Sequence, residues 1–83
     1  MRDVEKFENI VNYVKTESKG RKYGKSAYIR GYNVMVCDVP VNSIIMHIYA
    51  DATLICSLAL YRGHLQKTTP NERVFNEIAL AVV

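Results

Sequence analysis

No apolar run in this 83-residue chain reaches the roughly 18–20 residues that a membrane-spanning helix needs; His47, Asp51 and Ser57 interrupt the longest candidate. No membrane partner is therefore expected. No neighbouring pair among Cys37, His47, Cys56 and His64 is separated by fewer than seven residues. The close ligand pairs of a zinc finger are missing, and no metal is expected. Gly20 and Gly24 lack the strand before and the helix after that a phosphate-cradling loop requires. The four serines, two cysteines and two histidines stand in no recognisable nucleophile motif. His47 reads as a surface or packing histidine, because geometry, not presence, defines a general base. His64, beside Gly63, reads as a turn residue. An enzyme is not expected, and no cofactor is implied. Internal repeats and low-complexity segments are also missing. Two cysteines require no disulfide, and as reduced thiols they suit a cytoplasm. The first residues, MRDVEKFEN, are charged and amphipathic, unlike a secretory signal.

What is present is organised around Ser43–Tyr61. Ile44, Met46, Ile48 and Ala50 alternate with Ser43, His47 and Tyr49, and Ile45 alone breaks the polar side. Leu54, Cys56, Leu58 and Leu60 alternate with Thr53, Ser57, Ala59 and Tyr61. A period of two puts each set on one face of a sheet, so this stretch reads as a hairpin whose even-numbered face is the core. The turn around Asp51 lacks the Asn-Gly chemistry of the surest hairpins, and its type stays open. A buried helix competes, but the β-branched content, the alternation and Asp51 weigh against it.

Residues 3–18 read as an amphipathic helix, with Val4, Phe7, Val11 and Val14 at helical spacing and Ile10 beside them. Asp3 can cap it and Gly20 can end it. Residues 21–30 are either a loop or an edge strand. Residues 32–37 form a strand apolar on both faces, closed by Asp38, Pro40 and Asn42. Leu65–Lys67 lead out of the hairpin. Thr69-Pro70-Asn71-Glu72 has the form of a capping box with proline at the first helical position. Val74, Phe75, Ile78, Ala79 and Val82 form the buried stripe of the helix that follows. The expected fold is a single α+β domain over residues 1–83: a small antiparallel sheet of three to four strands, flanked by an N-terminal and a C-terminal helix on one face.

The net charge of +3 is local. Lys19, Arg21, Lys22, Lys25 and Arg30 occur within residues 19–30 with no acid among them, while the rest of the chain is slightly acidic. Tyr23, Tyr28 and Tyr32 alternate with these cations. Lysine and arginine neutralise phosphates, and tyrosine rings stack on exposed bases. The plain alternative is a solvated loop whose tyrosines pack inward. The candidate RNA-binding residues are Lys19, Arg21, Lys22, Tyr23, Lys25, Tyr28 and Arg30. Single-stranded or looped RNA fits better than duplex DNA, because no helix here resembles a major-groove reader.

From Asn42 onward, the Asn42-Ser43 lead into the hairpin, Gly63, the Thr68-Thr69 step, Arg73 and Asn76 resemble a pattern in short bacteriophage proteins. In size and basic character the chain is similar to small phage proteins that act early in infection against host enzymes or defence systems, including inhibitors of ToxN-type toxin endoribonucleases that work together with RNA. The resemblance implies a protein of the host-cell cytoplasm that antagonises a host protein target such as a toxin nuclease. An inhibitor docking through an edge strand or the apolar C-terminal helix, without nucleic acid, is the alternative. A homodimer is also expected, because Leu80 and Val83 fall off the stripe of the last helix and Tyr49 and Tyr61 lie on the outer sheet face.

Overall fold

Helix α1 spans Asp3–Glu17 and buries Phe7, Ile10, Val11 and Val14, the stripe its spacing predicts. Asp3 is the first helical residue and, with Glu5, places negative charge at the positive end of the helix. The structure, a computed structural model, describes residues 3–18, 25–40 and 44–83. Gly20, expected to end the helix, lies outside the described residues.

Five strands follow: β1 (Lys25–Ile29), β2 (Tyr32–Pro40), β3 (Ile44–Ala50), β4 (Thr53–Tyr61) and β5 (His64–Thr68). They form one antiparallel meander in chain order, and helix α2 (Glu72–Ala81) closes the chain. The fold is α+β as expected, but the sheet has five strands, not three or four. Residues 25–29 resolve the open choice between loop and edge strand in favour of the strand. Residues 64–68 pair with β4 instead of leading out of the sheet. Their apolar face was hidden because Lys67 occupies a core-side position in it, opposite Leu58. Asp38 and Pro40 lie within β2, which runs to the end of its pairing with β3. The described part of β1 ends opposite Val36. Beyond that point β2 is an edge on that side among the described residues, where proline is tolerated.

Both helices lie on one face of the sheet. Helix α1 packs against β1, β2 and β5, and α2 against β4 and α1. The sheet contributes Ile29, Val34, Val36, Ile48, Ala50, Ile55, Cys56 and Leu58 to the core between the layers. The even-numbered face of the hairpin is thus the core face, with two corrections. Ile48 pairs with Cys56 but Tyr49 pairs with Leu54, so Ile55 is an extra, bulged residue. The bulge buries Ile55 and turns Leu54 to the side of Tyr49, away from the core. Leu60, near the far end of β4, is 37% exposed. The bulge also anchors the next element, because the Asn71 N–H donates to the Ile55 carbonyl at 3.5 Å.

Helix α2 begins two residues later than the capping box suggests. Asn71 is the cap, and its side chain accepts from the Val74 N–H at 3.1 Å. Thr69 is engaged elsewhere: its hydroxyl accepts from the Lys67 ammonium. Val74, Phe75, Ile78 and Ala79 are buried as expected, while Leu80 and Val83 are 74% and 77% exposed.

Three hairpin turns contain two residues each, all with positive φ: Arg30-Gly31, Asp51-Ala52 and Arg62-Gly63. This is the mirror-image geometry that follows strand twist. Asp51 suits it, since its carboxylate accepts from the Asn33 N–H at 2.9 Å and its own N–H donates to the Asn33 carbonyl at 3.0 Å. Ala52, at φ +68°, has no such compensation. A left-handed conformation costs a non-glycine residue about 1–2 kcal/mol, part of which glycine returns as unfolded-state entropy. Ala52→Gly is therefore expected to stabilise the fold by about 0.5–1 kcal/mol. A urea midpoint that does not rise would contradict this turn geometry.

Candidate nucleic-acid interface

With both helices on one side, the other face of the sheet is uncovered among the described residues. Strand pairing assigns residues to it row by row. Tyr28 stands opposite Asn33; Ser26, Met35, Tyr49 and Leu54 form the next row; Cys37, His47, Ser57 and Thr68 the third. Ala59 and Gln66, then Tyr61 and His64, complete it. None of these residues carries a fixed charge. Tyr28 is 77% exposed and Tyr61 is 54% exposed. The Arg62 guanidinium lies 5.3 Å from the Tyr61 ring centroid, holding a cation at that end of the face. At the centre, the Tyr49 hydroxyl and His47 Nδ1 are 3.3 Å apart, with ring centroids at 6.0 Å. A depression of about 360 Å³ opens beside them, lined by Asn33, Met35, Cys37, Tyr49 and Ala52.

The seven candidate RNA-binding residues divide as follows. Lys19, Arg21, Lys22 and Tyr23 lie outside the described residues. Tyr28 is on the open face, at its β1 edge. Lys25 shares the opposite side of β1 with Ala27 and Ile29, where it is half-buried and interacts with a neighbour. Arg30 occupies the exposed tip of the β1–β2 turn at φ +51°. Beside β1, a polar cleft is lined by Tyr13, Glu17, Ser26, Ala27 and Tyr28. Lys25 and Tyr28 thus face opposite ways on one strand. Asn33, Met35 and Tyr49 were not among the candidates. The signal for them was the odd-numbered set of β2 and β3, legible once both strands share one open side.

On the other side of Arg30, Tyr32 donates its phenolic proton to Glu77 at 2.8 Å, and Arg73 pairs with the same carboxylate at 2.9 Å. The Tyr32 hydrogen bond, then Arg73 and the charge of Arg30, hold the Glu77 carboxyl below its ordinary range. Arg73, one of the residues carrying the phage resemblance, is thereby tied to its own helix. Asn76 instead borders an apolar groove between the helices with Lys6, Ala79, Leu80 and Val83. Asn42 and Ser43 lie outside the described residues.

Of the four metal-capable side chains, Cys37 and His47 are direct cross-strand partners on the open face. Cys56 faces the core, and burial pushes its thiol pKa up. His64 is at the far end of the sheet. No group of three or more potential ligands forms among the described residues.

The fold and its open face define an α+β protein: a five-stranded meander backed by two helices. No protein-family model matches this chain, and neither a curated protein nor a solved structure is found to be similar to it. No helix among the described residues is long and apolar enough to cross a membrane.

Proposed function

We propose that this chain binds single-stranded or looped RNA and, as a phage-encoded protein, antagonises a host defence factor such as a toxin endoribonuclease of the ToxN kind. One observation carries the RNA part: the uncovered, uncharged sheet face presents Tyr28 on β1, the strand into which the acid-free basic segment leads, and Tyr49 two strands away on β3. Sheets that recognise single strands stack bases on aromatic side chains, while surrounding cations hold the phosphates. The antagonist part rests on the resemblance to short phage proteins. A second reading has a specific observation of its own. Interface centres are depleted in charge and enriched in tyrosine and methionine, as this face is, and Leu80 and Val83 are widely exposed. That composition favours a protein partner or a second copy of the chain.

Salt separates the two readings. Fluorescence titration with a labelled single-stranded 12-mer RNA should give binding at 50 mM salt that weakens steeply by 200 mM. Capture of the host target from infected cells should be lost on RNase treatment. Absence of RNA binding at low salt, with RNase-resistant capture, would replace the RNA reading with apolar docking.

A further inference from the structure

The geometry points to a seat for one unpaired nucleobase in the depression on the open sheet face, stacked on Tyr49 with its polar edge toward Asn33. This inference rests on the RNA reading above and names the place where that RNA would be read.

Three observations place it there. The first is order. The Tyr49 ring is held by the 3.3 Å contact of its hydroxyl with His47 Nδ1, and His47 is itself set by strand pairing opposite Cys37 and Ser57. A ring fixed in this way loses little freedom when a base stacks on it. The second is an unused amide. The backbone N–H and carbonyl of Asn33 are both bonded to Asp51. Its side-chain amide has no hydrogen-bond partner among the described residues. A carboxamide offers two donors and a two-lone-pair acceptor, enough to pair with the donor–acceptor edge of a base. The third is charge. None of the lining residues is acidic, and the neighbouring Asp51 carboxylate is already engaged by the Asn33 N–H at 2.9 Å. Met35, 36% exposed, supplies a polarizable wall beside the ring.

The test compares single-stranded 12-mers of oligouridylate, oligoadenylate and oligocytidylate on wild type, Tyr49→Ala, Tyr49→Phe and Asn33→Ala. Loss of one stacked base predicts about 5- to 150-fold weaker binding by Tyr49→Ala, with the salt slope unchanged. Tyr49→Phe keeps the ring and should bind within a few-fold of wild type. Asn33→Ala should flatten the preference among the three homopolymers. Wild-type affinity and preference in both alanine variants, with RNA still bound, would overturn the base seat and leave the RNA reading standing. No binding by wild type at 50 mM salt would overturn both. Should Tyr49→Ala fail to fold, photocrosslinking of wild type to an oligouridylate carrying 5-iodouridine decides. Adducts on Tyr49 or Met35 support the seat, and adducts confined to residues 19–30 overturn it.

Discussion

Phe75→Ala is expected to lower the unfolding free energy by about 3–5 kcal/mol. A chain of this length has roughly 4–12 kcal/mol in all, at about 0.05–0.15 kcal/mol per residue. The substitution should therefore bring the protein near its folding limit. Phe75, in the first turn of α2, is fully buried in the core that both helices share with the sheet. Its ring also has a second partner. The Lys67 ammonium lies 4.4 Å from the ring centroid, 3.7 Å from the Asp3 carboxylate and within hydrogen-bonding reach of Thr69. Only 9% of the Lys67 side chain is exposed. One lysine thus ties the start of α1, strand β5 and helix α2 together, its stem packed and its charge on an aromatic face. Lys67→Met should keep the packing and lose about 1–2 kcal/mol of cation–π and ion-pair energy. Much of that loss should vanish in a Phe75→Leu background, because the two residues are coupled. Urea midpoints at constant m would read both effects. A loss below about 1 kcal/mol for Phe75→Ala would mean that α2 does not close the core.

Lys67 also shows where the sequence stops being legible. The strand signal is alternation of apolar and polar residues. In β5 the core side holds Leu65, itself 48% exposed, and Lys67, so the alternation is absent although the strand is paired along its length. Strand β1 is similar, with Lys25 and Ala27 sharing the side of buried Ile29. Edge strands need less burial than central ones, so their patterns are weaker. Elements burying a full stripe, α1, the β3–β4 hairpin and α2, were readable because each owes its stability to that stripe. The Ile55 bulge was not, since a one-residue register change leaves no mark in an apolar run. The cap of α2 is Asn71 and not the expected Thr69 for a related reason. Thr69 and Asn71 can both cap, and the choice depends on Lys67, a tertiary contact. The open sheet face follows the same rule. Tyr49 and Tyr61 could be assigned to the outer side, but the pairing that sets Asn33, Met35 and Tyr49 around one depression depends on the β2–β3 register.

Arg21→Glu combined with Lys22→Glu is expected to change the salt dependence of RNA binding more than any substitution on the sheet. Lys25 is half-buried and engaged with a neighbour, which leaves Lys19, Arg21, Lys22 and Arg30. If each of these neutralises one phosphate of a single strand, the slope of log affinity against log salt is about −2.8. Affinity should then fall about 50-fold between 50 and 200 mM salt. Reversing two charges removes at least two of those phosphates, leaving a slope of about −1.4 and a fall of only about 7-fold over the same range. The effect should be uniform across homopolymers, because phosphate contacts carry no base information. Tyr49→Ala is the complement, weakening affinity at every salt concentration and leaving the slope in place. The two perturbations therefore report on separate physical terms, one electrostatic and one stacking, and should combine nearly additively if the basic segment and the sheet face act on one RNA without contacting each other. The urea midpoint of the double charge reversal is the control for folding. An unchanged salt slope in a folded variant would remove residues 19–30 from the RNA contact. It would move the functional reading to the uncharged face as a surface for protein.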